Sequence, residues 1–359
     1  MRTLSLLLFL LFLVSCSAQR QTTESTRQSR EKPKNIILLI GDGMGLSQVS
    51  SSEFFKEEPS HFEEFPVIGL IKTSASDMLI TDSAAGATAF ASGIKTYNGA
   101  IGMAPDYSEV ETIVEQLSGR GYSSGVIATS SIVHATPASF YAHSRSRSLY
   151  EDIAADLVDS EIDFFAGGGL AFFQQRSDSI DMISRLKERG FTINTESLTP
   201  TRADKQGYLL ASDGMPKMVD GRGDFLPQAT QLALDQLSKN NWGFILIVEG
   251  SQIDWGGHAN DAEYLIGELL DFDKTVGLAL AFARKNKETL VIVTADHETG
   301  GFTLAPTSND YNSIQPSFST GGHSATWIPV FAYGPGAELF GGVYENTEIY
   351  HKMIKSLSE

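Results

Sequence analysis

The chain has 359 residues, with 27 Lys and Arg against 44 Asp and Glu, a formal net charge of −17. That length suits one large or two ordinary domains. The charge balance argues against a nucleic-acid-binding surface, because phosphates are neutralised by Lys and Arg. Cys16 is the sole cysteine, so no intramolecular disulfide is available.

The first element in chain order is a processing segment. Arg2 precedes the apolar stretch Leu4–Val14, which is short for a membrane span. It closes on Leu13-Val14-Ser15-Cys16, which resembles the lipobox of bacterial lipoproteins. Residues 1–16 therefore read as a lipoprotein signal peptide with Cys16 as the lipidated residue. The alternative is an ordinary secretory signal cleaved near Ala18, with Cys16 discarded. Either way the chain reads as exported. The lipidated form would sit on the periplasmic side of a bacterial membrane, held by a lipid anchor. Residues 17–34 are rich in Ser, Thr, Gln and Arg without apolar periodicity, and read as a flexible tether.

From Asn35 to Glu359 strand and helix patterns alternate, and no Pro/Gly/Ser-rich break divides them. Strands are expected at Asn35–Ile40, Val67–Lys72, Ser124–Thr129, Phe164–Ala166, Phe244–Val248, Leu290–Thr294 and Pro329–Tyr333. Helices are expected at Ser83–Gly93, Val110–Arg120, Tyr150–Val158, Ile180–Arg189, Phe225–Ser238, Ala262–Arg284 and Thr347–Leu357. Gly190–Gly221 and Thr303–Gly322 read as irregular insertions. The alternation predicts one α/β domain over 35–359, a three-layer sandwich with a mostly parallel central sheet flanked by helices.

Three apolar strands end in carboxylates: Asp42 after Ile40, Glu249 after Val248 and Asp296 after Thr294. Ligands of such sheets bind beyond the carboxyl ends of the strands. Carboxylates aimed at one mouth repel unless a cation lies between them, so a metal site is the leading reading. Gly41-Asp42-Gly43-Met44-Gly45 fails the dinucleotide spacing at Leu46, and Asp42 would repel a pyrophosphate. Asp254 and His258 stand at i and i+4, a helical spacing that suits zinc. Asp296-His297 adds a second carboxylate–imidazole pair, and glycines free the loop that carries His323. Ser83 opens a helix of very small residues, where backbone N–H groups favour an anion. It has no obvious His base, but a zinc ion can activate a hydroxyl instead.

These motifs resemble those of the alkaline phosphatases over nearly all of 35–359. The matches are Gly-Asp-Gly-Met-Gly at 41–45, Thr-Asp-Ser-Ala-Ala at 81–85, and His-Ala-Thr-Pro-Ala at 134–138 with Arg147. Val-Glu-Gly-Ser-Gln-Ile-Asp at 248–254 with His258, Thr-Ala-Asp-His-Glu at 294–298 and Gly-Gly-His-Ser at 321–324 complete the set. The resemblance implies two Zn²⁺ and one Mg²⁺ per subunit. Asp254, His258 and His323 would hold the first zinc. Asp42, Asp296, His297 and the Ser83 oxygen would hold the second. Asp42, Thr136 and Glu249 would hold magnesium. Arg147 would clamp phosphoryl oxygens with its planar fork, braced by Asp82, while neighbouring Arg145 reads as a solvated surface residue. The implied activity is hydrolysis of phosphate monoesters through a phosphoserine on Ser83.

The pattern departs from the best-known bacterial one at His134, where some members have Asp, and at Trp255, where some have Lys. His134 would touch the third metal through water or leave it weaker. Trp255 would stack on substrate or simply pack. The short loop between Gly301 and His323 leaves little room for a crown subdomain, which leaves homodimer or monomer open. The rival readings are a phosphodiesterase or phosphomutase of the same superfamily, or a non-catalytic phosphate- or metal-binding surface lipoprotein.

Overall fold

The computed structural model describes residues 32–358. The expected signal peptide with Cys16, and the expected tether as far as residue 31, lie outside the described residues. Pro33 is buried and the Lys34 N–H donates to the Glu288 carbonyl at 2.7 Å, so the chain is already docked on the domain there. No helix among the described residues is long and apolar enough to cross a membrane.

The strands in chain order are β1 (Asn35–Gly41), β2 (Val67–Lys72), β3 (Ser123–Ser131), β4 (Phe164–Gly168), β5 (Phe191–Asn194), β6 (Lys205–Leu209), β7 (Phe244–Gly250), β8 (Thr289–Thr294), β9 (Glu298–Thr299), β10 (Thr303–Thr307), β11 (Asp310–Ser317), β12 (His323–Ser324), β13 (Ile328–Tyr333) and β14 (Gly342–Glu345). Ten of them form one sheet in the order β14-β2-β13-β8-β1-β7-β3-β4-β6-β5. Within it β13 runs against its neighbours β2 and β8, and every other pairing is parallel. Ile36 to Ile40 are all 0 % exposed, which requires cover on both faces of β1. Helix Phe225–Leu237 packs on β3, β4 and β7, and helix Ala262–Asn286 on β1, β7 and β8. The result is the expected α/β sandwich.

Helix ends follow local capping chemistry. The helix expected from Val110 begins at Ile113, because Thr112 and Glu115 form a reciprocal capping box. The helix opening at Ser83 ends at Ser92, with Gly93 as a left-handed C-cap at φ +74°. Gly190–Gly221 is not wholly irregular, since β5 and β6 extend the parallel sheet there. β5 lies at the sheet edge and is half-buried, so it carries no continuous apolar run. Thr303–Gly322 holds the antiparallel hairpin β10–β11 rather than irregular chain. Helix Leu46–Phe54 was not expected, because its buried face is largely polar: Gln48, Ser51 and Ser52 beside Val49.

Candidate active site

The neighbouring strands β8, β1, β7 and β3 all end at one place. Ile40 on β1 is paired with Glu249 on one side and Thr294 on the other, so the acids that follow lie level. Asp42 follows β1, Glu249 ends β7, Asp296 follows β8, and His134 and Thr136 follow β3. The turn after Asp42 needs glycine. Gly43 has φ +73°, and a Cβ there would stand 2.8 Å from Asp254 Cα. Gly86 lets helix Ser83–Ser92 approach closely, since its Cβ would lie 3.0 Å from Asp296 Cβ.

Asp42, Glu249, Asp296 and His297 are fully buried. Both Asp42 oxygens, Asp296 Oδ2, Glu249 Oε1, Thr136 Oγ1 and His134 Nδ1 have no hydrogen-bond partner. Native proteins rarely leave such groups unsatisfied. Three groups place one ligand atom per residue within 4.8 Å of one another: Asp254/His297/His323, Asp42/Asp296/His297 and Asp42/His134/Glu249. His258 joins Asp254 and His323, with its Nε2 at 3.4 Å from Asp254 Oδ1 and 3.1 Å from His323 Nε2.

The imidazole tautomers follow from their other partners. His258 Nδ1 donates to the Gly321 carbonyl at 2.8 Å, and His323 Nδ1 donates to the Thr81 carbonyl at 2.9 Å. In the neutral rings both Nε2 lone pairs then face each other, which a cation between them would relieve. The Thr299 hydroxyl donates to Asp254 and accepts from His297 Nδ1 at 3.2 Å. That leaves His297 Nε2 open toward Ser83 Oγ at 3.3 Å and Asp296 Oδ2 at 3.3 Å. The donor set therefore fits metal ions: imidazoles with carboxylates on one side, and mostly oxygen on the other.

The electrostatics agree. Burial pushes Asp42 well above the usual carboxylate range, helped by repulsion from Asp296, Asp254 and Glu249. Burial also raises Asp296, and lifts Glu249 to about 7. Burial holds His297 and His134 near 3, so both rings are neutral. A carboxyl whose folded pKa is raised binds protons more tightly in the folded state than in the unfolded one. In the metal-free protein Glu249 should therefore lose its stabilising share as pH rises from about 4.5 to about 7. His134 and His297, kept neutral by burial, act in the opposite sense as pH rises toward 6.5. Thermal melts of chelator-treated wild type and Glu249→Gln at pH 5 and pH 8 isolate the carboxyl: between the two pH values wild type should lose more Tm, or gain less, than the variant. Added metal should reverse the trend.

Ser83 stands at the first position of helix Ser83–Ser92, and Asp82 caps that helix by accepting from the Ala85 N–H at 3.0 Å. The other Asp82 oxygen accepts from Arg147 Nη1 at 3.0 Å. Arg147 Nη2 lies 3.5 Å from His134 Nε2. Arg145 is exposed, with its guanidinium over the Tyr107 ring. The Trp255 ring stands edge-on to His134, and a Cβ on Gly214 would lie 2.7 Å from it, so the indole fills a tight slot.

Sequence reasoning missed the supports. Thr299 links Asp254 to His297. Glu298 accepts from Gln48 Nε2 at 2.8 Å and from the Phe302 N–H at 3.0 Å. Asn98 accepts from the Asp82 N–H at 2.9 Å. Thr299 and Glu298 directly follow the Asp296-His297 pair, the one local signal that pointed to them.

The alkaline phosphatase family model matches residues 33–317. Alkaline phosphatase from the Antarctic bacterium TAB5 is 58% identical, with a TM-score of 0.90 over 91% of this chain and 98% of that one. A histidine-to-aspartate mutant of the TAB5 enzyme, with Mg bound in its M3 site, is 56% identical, with a TM-score of 0.90 over 91% of this chain and 99% of that one. Alkaline phosphatase 3 of Bacillus subtilis is 33% identical over 93% of this chain and 91% of its own length. Matches of this reach and closeness show that the chain belongs to the alkaline phosphatase family and is a metal-dependent hydrolase of phosphate monoesters.

Proposed function

We propose that Ser83 is the nucleophile and that hydrolysis passes through a phosphoserine. The observation that carries this is the convergence of unpaired carboxylate oxygens and opposed imidazole lone pairs beside the Ser83 hydroxyl. Asp254, His258 and His323 would hold one zinc. Asp42, Asp296, His297 and Ser83 would hold a second. Asp42, Thr136 and Glu249, with His134 beside them, would hold magnesium. The ions would supply Lewis acidity and in-line positioning.

The chain's own residues do the rest. The helix N-terminus beneath Ser83 favours the negative charge of the phosphoryl group. Asp82 does two jobs, capping that helix and fixing the Arg147 fork. Arg147 presents its remaining N–H groups to phosphoryl oxygens. The half-buried His134, a neutral ring, adds no positive charge beside it. Trp255 walls the same corner. A carboxylate in place of His134 would offer magnesium the hard oxygen it prefers, as in the TAB5 mutant with Mg in its M3 site. Residues 1–16 would direct export and leave a lipid anchor on Cys16, on the periplasmic side of the membrane. The diesterase, phosphomutase and non-catalytic readings are not favoured, since the phosphatase family model matches residues 33–317, the TAB5 phosphatase matches 91% of this chain, and Ser83 is in place.

A guanidinium fork matters most for a monoester, which presents more free non-bridging oxygens than a diester. Arg147→Ala should lower monoester kcat/KM by one to a few powers of ten, given charge-assisted hydrogen bonds of about 1.5–3 kcal/mol. Diester turnover should fall less, phosphate inhibition should weaken, and Arg145→Ala should do little. Equal losses on chromogenic monoester and diester would remove Arg147 from this role.

A further inference from the structure

The active site lies at the carboxyl ends of the sheet strands. The opposite edge, where β8, β1, β7 and β3 begin, is different in charge. Lys34 precedes β1, Arg120 precedes β3, Lys239 precedes β7, and Lys285 and Lys287 precede β8. Arg120, Lys239, Lys285 and Lys287 are exposed, as is Lys32. The exposed acids here are Glu288 and, on the Arg120 side, Glu161, which accepts from the Ser118 hydroxyl at 3.2 Å, and Asp159 next to it. Cations still outnumber acids along the starts of β8, β1 and β7, against a chain total of 27 basic and 44 acidic residues.

An aromatic stands in the middle of them. Trp242 is 70% exposed. Its loop is built to hold it there. Asn240 Nδ2 donates to the Gly121 carbonyl at 2.8 Å, and Asn240 Oδ1 accepts from the Trp242 N–H at 2.9 Å. The indole rides over Gly121, whose Cβ would lie 3.4 Å away. Next to it Gly243 meets the Lys34 carbonyl, so the polypeptide enters the domain beside this tryptophan. The segment leading in, residues 17–34, is itself cationic, with five basic and two acidic residues.

We propose that this edge is a docking face for an anionic phospholipid bilayer, with Trp242 at the headgroup level and the basic residues on lipid phosphates. Tryptophan favours the membrane–water interface, and each surface Lys or Arg adds about 1 kcal/mol against anionic lipid. β1 has 7 residues, so the bilayer would sit on the order of 20 Å from the active-site mouth, which faces solvent. A phosphatase acting on soluble monoesters then keeps its entrance clear of the membrane. The idea draws on the export and Cys16 anchor only to bring the domain to a membrane; docking itself is tested apart.

The processed full chain is mixed with vesicles of phosphatidylcholine alone or with phosphatidylglycerol, some carrying acyl-brominated lipid. The difference in fluorescence between wild type and Trp242→Phe reports quenching of Trp242. Quenching is expected with phosphatidylglycerol only, and should fade at high salt. Lys239→Gln and Lys287→Gln should each lower the docking constant roughly fivefold, with monoester turnover unchanged as the check on folding. Flotation with neutral vesicles reads the lipid anchor separately: its loss with anionic docking intact would sink the anchor alone. Flotation on both vesicles with Trp242 unquenched would overturn the docking face. Binding to soluble polyphosphate as tight as to the vesicles would overturn the lipid assignment.

Discussion

Ser83→Ala should lower monoester kcat by roughly three powers of ten or more, with the fold intact. Removing a nucleophile that acts as a unit with its activators abolishes the covalent route. Little else should change, because the Ser83 hydroxyl has His297 Nε2 as its hydrogen-bond neighbour and supports no other element. Helix Ser83–Ser92 keeps its cap through Asp82. The apo variant should therefore keep the wild-type Tm, and any loss in the metal-loaded form should trace to the second zinc alone, which would lose one of its four ligands. Acid quench of wild type with labelled phosphate should place label on Ser83, and the variant should carry none. Wild-type turnover by Ser83→Ala, or label elsewhere, would reassign the nucleophile.

Chelation should abolish turnover and lower Tm together. Fully buried acids at Asp42, Glu249 and Asp296 lie close to one another with oxygens that no protein group satisfies. Ions that bind only the folded site stabilise it by mass action, so their removal reduces stability as well as rate. Zinc with magnesium should restore both, and metal analysis on the same sample should show the ions returning. Full activity in protein verified to be metal-free would falsify the metal mechanism.

The strands that carry the site were readable because they are buried on both faces. β1, β7 and β8 carry continuous apolar runs, and each run ends at the functional acid or within two residues of it. The family motifs then tied Ser83, Arg147 and the histidines to those ends. β5 and β6 escaped because an edge strand and its neighbour mix polar residues with Gly207. Helix Leu46–Phe54 escaped for a related reason, since its inner face makes hydrogen bonds rather than apolar contacts. Gln48 reaches Glu298 across 250 residues of sequence, and no local pattern announces such a pair. The supports at Thr299 and Asn98 share that character, for Thr299 meets Asp254 and Asn98 meets Asp82 only once the fold has brought them together.

Asp42 belongs to two of the ligand groups, and so does His297. The three groups therefore form a chain with shared links rather than separate pockets. An ion that arrives at one group neutralises charge that the next group also feels. Occupancies in such a chain are thermodynamically linked, and the linkage is reciprocal. Each ion's affinity should then depend on whether its neighbours are filled. Withdrawing one ion should change how tightly the others are held, because the same Asp42 and His297 serve both sides of the change. The metal centre is therefore one titrating unit, and no single ion in it has an affinity of its own.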